Sequence, residues 1–238
     1  NAFEQEQPIL LDQFKNKTPF SKHLTSLIKY ADFGISDVKS VPANIPSDIW
    51  HQFKEQMKTQ IGADEGKLEE AFNIKNATQL QFTYTGEDSS SAGFGLDNES
   101  RGTVAALSFF SLALRQLSRP TVTLIDEIDT SLHPALVAEL VALYTDPATN
   151  PHGSQLIFTT HDVSLINHSG SSNRLLQPDQ IWLVEKDKDG ASELFPVTEL
   201  GIRKEENIGK NYLNGVYGAT PNPSFHTVFA QIMNGDDD

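Results

Sequence analysis

Leu24, Leu27 and Ile28 recur at helical spacing, with Tyr30 and Ala31 following, and predict a helix over residues 18–32. Ile35–Val41 alternates in part and predicts a short strand. Residues 43–78 are mostly polar, with helices expected around Asp48–Thr59 and Glu65–Phe72. Leu80–Thr85 alternates cleanly, as a half-buried strand does. A loop rich in Ser, Gly and Asp follows at Gly86–Glu99, then an apolar helix over Gly102–Leu117 that Pro120 ends. The four apolar or β-branched residues Val122–Ile125 predict a central parallel strand covered on both faces. Pro134 opens a further helix that Ala135–Tyr144 continue, and Asp146–Gly153 is a turn-rich loop. Gln155–Thr160 predicts another buried strand. Ile181–Val184 and Ser192–Phe195 pair as a hairpin across Asp189-Gly190. The order strand, helix, strand, helix, strand predicts an α/β fold with a parallel sheet.

Composition narrows the class. The chain has 238 residues, 38% of them hydrophobic, enough to bury a core. It has no Cys, which excludes disulfides and thiolate metal sites. No apolar run approaches the roughly 18 residues of a membrane helix. The first residues lack the basic-then-apolar pattern of a leader, so the expected setting is the cytoplasm, with no membrane partner. The net charge of −14 repels phosphate backbones on average, so the surface as a whole is not a nucleic-acid interface. A local basic patch, or one supplied by a partner, remains compatible with that balance. Along the sequence the one basic cluster is Arg203, Lys204 and Lys210, beside Glu205 and Glu206. It reads as a charge-mixed solvated helix, or more sharply as a contact for nucleic acid or a partner. Trp182, after Ile181, is expected in the core, and Gly235–Asp238 as a solvated tail.

Three elements carry chemistry. In TVTLIDEIDTSLHP, residues 121–134, an apolar strand runs straight into Asp126 and Glu127. Ligands bind at the C-terminal ends of parallel strands. A carboxylate there can hold Mg²⁺ through water, and a second can act as general base on an attacking water. Alone, the pattern reads equally as a strand end entering an acidic loop. Next, the strand Gln155–Thr160 delivers His161 to the same sheet edge as Glu127, one strand and one helix later. A lone His at a strand end is more often structural, but an imidazole there can also bond a phosphate or the attacking water. Third, Glu99-Ser100-Arg101-Gly102-Thr103 stands before an apolar helix, whose N-terminus offers free N–H groups to an anion. Ser100 and Thr103 add hydroxyls and Gly102 permits close approach. A plain N-cap by Ser100 is the simpler alternative.

The order and spacing of the three resemble the second half of an ABC-type ATPase head. In that comparison Ser100-Arg101-Gly102-Thr103 is similar to a degenerate signature motif, with Arg101 where transporter heads have Gly. Asp126 matches the Walker B aspartate, Glu127 the catalytic glutamate, Asp129–Pro134 the D-loop and His161 the switch histidine. The wording IDEIDTSLHP, QLIFTTHD, DQIWLVEKDKDG and RKEENIGKNYLNGVYGATP further resembles the ATP-binding proteins of bacterial abortive-infection and restriction-linked defence loci. The likeness covers about residues 95–222, and weakly 20–42.

That resemblance implies an α/β fold: a mostly parallel sheet flanked by helices, with a C-terminal hairpin. Residues 1–85 would lead into the head, and residues 86–238 would carry the signature, Walker B, D-loop and switch-His part. It implies ATP and Mg²⁺ as cofactors. Asp126 would hold the metal and Glu127 would act as base, with His161 bracing the γ-phosphate. Ser100, Gly102 and Thr103 would touch nucleotide across a head-to-head homodimer or higher oligomer, and Asp129 and Ser131 would cross the interface. His133 would pack there too. A separate effector such as a nuclease or toxin is the expected partner. A DNA-repair or chromosome-maintenance ATPase and a slow nucleotide-held scaffold are the competing expectations. The sequence holds no phosphate-binding loop G-x-x-x-x-G-K-[ST]. Gly62–Leu68 has its glycines one residue too close and Leu68 in place of the hydroxyl. The chain is therefore expected to be a C-terminal piece that binds ATP poorly and does not turn it over alone.

Overall fold

Helix α2 (Pro19–Tyr30) starts where the sequence provides a cap: the Thr18 hydroxyl accepts from the Ser21 N–H at 3.3 Å and Pro19 fills the first turn. Leu24 and Ile28 are buried on one face, while Lys22 and Lys29 stay exposed. The computed structural model describes residues 2–43, 51–52, 55–56, 58–59, 77–86, 90–167, 174–203, 206–221 and 223–234. The helix expected over Glu65–Phe72, the 235–238 tail and Lys204 lie outside these residues. The helix expected over Asp48–Thr59 falls on them only in fragments, which are helical.

Helix α1 (Ala2–Lys15) precedes α2, and strands β1 (Ile35–Pro42), β2 (Thr78–Thr85) and β3 (Ser91–Gly95) form an antiparallel sheet in that order. Val38 stands opposite Phe82, and Phe82 opposite Phe94. β3 lies in the stretch expected to be a loop. Its Ser, Ala and Gly residues carry no strand signal of their own. Pairing imposes the strand, with Tyr84 meeting Phe94 edge-on at 5.6 Å between ring centroids. Helices α1, α2 and α3 (Arg101–Gln116) share a core with this sheet, centred on Leu10, Leu24, Ile28, Phe82 and Leu107, each at most 1% exposed.

The same core continues under a parallel pair, β4 (Val122–Ile125) and β5 (Gln155–Phe158), joined through helix α4 (Pro134–Thr145). This α/β unit is the parallel element the sequence order predicts. The expectation of cover on both faces needs correction. Ile125, Leu156 and Phe158 join the core with Val137, Leu140 and Val141, but Val122, Leu124 and Ile157 are 59%, 74% and 57% exposed. An apolar run states that a strand is apolar on both faces. It does not state that both covers lie within the same chain. β6 (Trp182–Lys186) and β7 (Ser192–Pro196) make the expected hairpin, followed by α5 (Ile208–Leu213) and α6 (Phe225–Asn234). Trp182 is not core: strand alternation turns Leu183 into a small cluster with Ile181, Val197 and Ile208, and leaves Trp182 outside. Among the described residues no helix is long and apolar enough to cross a membrane.

The placement of these side chains sets an expected contrast in stability. Phe82→Ala should cost about 3–5 kcal/mol by urea unfolding, because it opens a cavity between three helices and a sheet. Trp182→Ala should cost clearly less, since Trp182 is 53% exposed and lies outside both buried clusters.

Candidate functional site

The register of the parallel pair sets Ile125 opposite Phe158, so Asp126 and Thr159 leave the two strands side by side. The Thr159 hydroxyl donates to Asp126 Oδ1 at 2.5 Å and accepts from the Glu127 N–H at 2.8 Å. The Thr159 N–H bonds the Ile125 carbonyl and the Ile128 N–H bonds the Thr159 carbonyl, each at 3.0 Å. Glu127 sits at φ +51°, a left-handed conformation unfavourable for a non-glycine residue. These bonds hold it there and aim its carboxylate outward.

The loop that follows is pinned by two apolar anchors. Ile128 and Leu132 are buried, while Glu127 and Ser131 face solvent and Asp129 is half-buried. The Thr130 N–H bonds the Glu127 carbonyl at 2.9 Å, and the Leu132 N–H the Asp129 carbonyl at 3.2 Å. The Thr160 hydroxyl donates to Asp129 Oδ1 at 2.7 Å, and the His161 N–H to the same oxygen at 3.3 Å. Burial raises the Asp129 pKa. The Thr160 hydroxyl and the backbone N–H groups of Asp129 and His161 outweigh it, holding the carboxyl below its ordinary 3.8. His161 Nε2 lies 3.8 Å from Glu127 Oε1, with the two side chains 85% and 58% exposed. Such an exposed pair adds little stability, so its placement is best understood by what it faces. His133 turns its Nδ1 to accept from the Ala135 N–H at 3.2 Å and so caps α4.

The start of α3 meets this loop. Ser100 caps the helix, accepting from the Thr103 N–H at 3.0 Å and lying 2.9 Å from the Thr103 hydroxyl. Thr103 is only 4% exposed, which leaves Ser100 as the hydroxyl that solvent reaches. A Cβ on Gly102 would stand 2.8 Å from the Ser131 carbonyl oxygen, closer than real Cβ contacts allow. Gly102 thus permits one close approach inside the chain itself, between helix and loop. Glu99, one residue before the cap, accepts from the Tyr84 hydroxyl at 2.8 Å. Burial, followed by that bond and the Glu99 charge, pushes the Tyr84 pKa up to about 12.

The residues singled out from sequence therefore fall into two groups, Asp126, Glu127, Asp129 and His161 on one side and Ser100, Gly102 and Thr103 on the other. The Gly102–Ser131 contact joins them. Sequence reasoning missed Thr159, Thr160 and Tyr84. Two consecutive threonines closing a strand just before His161 were the available signal. The donor set suits Mg²⁺. Thr159 occupies one oxygen of exposed Asp126, and the other has no protein partner among the described residues. Magnesium is characteristically held by one or two carboxylates, water and substrate phosphates, and not by a protein cage. Consistently, no group of three or more His, Cys, Asp or Glu among the described residues could hold a metal alone.

Residues 9–167 match the family described as "AAA domain, putative AbiEii toxin, Type IV TA system". The chain belongs to this AAA family. The match spans both groups of site residues and the strands that carry them. Among solved structures, the AAA chain is similar to the Smc head domain with an extended coiled coil bound to the C-terminal domain of ScpA, from Pyrococcus furiosus, at 15% identity and a TM-score of 0.41. That likeness covers 76% of this chain, which spans 36% of the other. No curated protein matches it.

A carboxyl with a depressed pKa contributes stability above its unfolded value and loses it as pH falls. For Asp129 that contribution is present above 3.8 and fades below it. Asp129→Asn should cost about 1 kcal/mol at neutral pH. It should also flatten the acid limb of a stability–pH profile measured by urea unfolding.

Proposed function

We propose that this chain supplies the catalytic edge of an ABC-type ATPase head that dimerises around ATP within an anti-phage defence system. One observation carries the reading: Asp126 and Glu127 emerge together at the C-terminal end of β4, locked by Thr159, with His161 3.8 Å from the Glu127 carboxylate. Phosphoryl transfer to water needs a positioned base and charge stabilisation more than covalent chemistry. Glu127 would orient and deprotonate the water, and His161 would donate to the γ-phosphate. Asp126 would hold Mg²⁺, which when bound neutralises phosphate charge. The phosphate-binding loop would come from another segment, and Ser100 at the start of α3 would face the nucleotide of a second copy. Asp129 and Ser131, in the loop that touches Gly102, would link the two sites. The family's description, which names a putative toxin of a toxin–antitoxin system, supports a defence setting, in which a separate nuclease or toxin would be the effector.

In the protein that includes its phosphate-binding loop, Glu127→Gln should leave ATP binding intact. It should slow hydrolysis by about 10²–10⁴-fold and accumulate an ATP-bound dimer. Hydrolysis at the wild-type rate would remove Glu127 as the base. Metal-dependent hydrolysis by the isolated chain would remove the composite-site reading.

A further inference from the structure

Lysines far apart in the sequence converge in space. Lys15 at the end of α1, Lys17 beyond it, Lys22 and Lys29 on α2, and Lys39 on β1 line one open groove of about 640 Å³. They are five of the 18 Lys and Arg in a chain of net charge −14. All five are exposed, and Asp37 is the one acidic residue in the lining among the described residues. Among the described residues no carboxylate forms an ion pair with any of them. The cluster legible along the sequence, at Arg203–Lys210, is not this one. Five like charges held together without an ionic partner among the described residues are costly, and an acidic chain gains nothing in solubility from them.

We propose that this groove binds the phosphate backbone of double-stranded nucleic acid. Lys22 and Lys29 stand two helical turns apart, about 10 Å, so the ammonium groups span several phosphates and not one isolated anion. Among the described residues the one aromatic in the lining is Phe14, which is 5% exposed, so they offer no platform on which unpaired bases could stack. The hydroxyls of Ser21, Thr25 and Ser26 donate to backbone carbonyls of their own helix or its cap, leaving lysine as the ligand. Lys without Arg or base-reading amides fits contact with backbone and not with sequence. β1 is an edge strand, but Lys39 and Pro42 guard that edge against a further strand, which disfavours an extended acidic peptide. None of the groove residues belongs to the Asp126–His161 site, so the inference does not rest on the ATP reading. It predicts local binding by a chain whose mean surface repels nucleic acid.

The experiment is fluorescence anisotropy of the chain with a labelled duplex of about 20 base pairs across a salt series, with poly-glutamate as competitor. The expected slope of log K against log salt is about −4 to −5, for five phosphate contacts. Lys22→Ala with Lys29→Ala should shrink that slope by about 2, and Lys15→Ala with Lys39→Ala should do the same independently. Lys186→Ala with Lys188→Ala, on the hairpin, should leave it unchanged. No binding at low salt would overturn the proposal. So would a slope indifferent to both groove variants while their circular dichroism matches wild type. Tighter binding of poly-glutamate than of the duplex at equal charge would overturn it in favour of an acidic protein partner.

Discussion

The Thr159 hydroxyl is the smallest part on which the rest of the candidate site depends. It donates to Asp126 and accepts from the Glu127 N–H, so one side chain fixes the ends of two parallel strands and the backbone of the residue that would act as base. Without it, the left-handed turn at Glu127 loses the side-chain bond to its backbone N–H and keeps only the Thr130 hydroxyl on its carboxylate, at 3.3 Å. Ile128 and Leu132 then bury themselves on either side of Asp129, which makes the loop part of the core and not a free tether. The Ser131 carbonyl reaches Gly102, and the start of α3 is placed by that contact. Positioning thus passes from one hydroxyl through a buried loop to a helix cap.

A second line of contacts reaches the same cap from the other side. Tyr84 on β2 bonds Glu99, and β2 pairs with β1, whose lysine lines the basic groove. Helix α2, which carries two more of the lysines, shares a core with α3. The groove and the start of α3 are therefore joined by a paired sheet and a packed helix. The uncovered face of β4 and β5, with Val122, Leu124 and Ile157, is apolar where a parallel sheet is normally covered. Under the proposed reading, that face is where the phosphate-binding half of the head would lie.

Much of this was legible in the sequence, because strand–carboxylate and strand–histidine junctions are local patterns. Val122–Ile125, Pro134 as a helix start and the Asp189-Gly190 hairpin stand where periodicity and turn chemistry put them. What escaped were features decided by tertiary partners. β3 exists because β2 pairs with it, and Trp182 faces out because Leu183 must face in. The basic groove is assembled from two helices and a strand, so no window along the chain contains it. Gly102 announced a close approach, and only the fold shows that the Ser131 carbonyl makes one.

Whether Thr159 holds the geometry that the proposed hydrolysis needs is measured most directly by single-turnover ATP hydrolysis by Thr159→Val in the protein with its phosphate-binding loop present. Valine keeps the shape of the strand end and removes both hydroxyl bonds. ATP binding should be little changed and hydrolysis slowed roughly 10²-fold, as expected when a base is misplaced by about 1 Å. Hydrolysis at the wild-type rate by a fully folded Thr159→Val protein would contradict that role for Thr159.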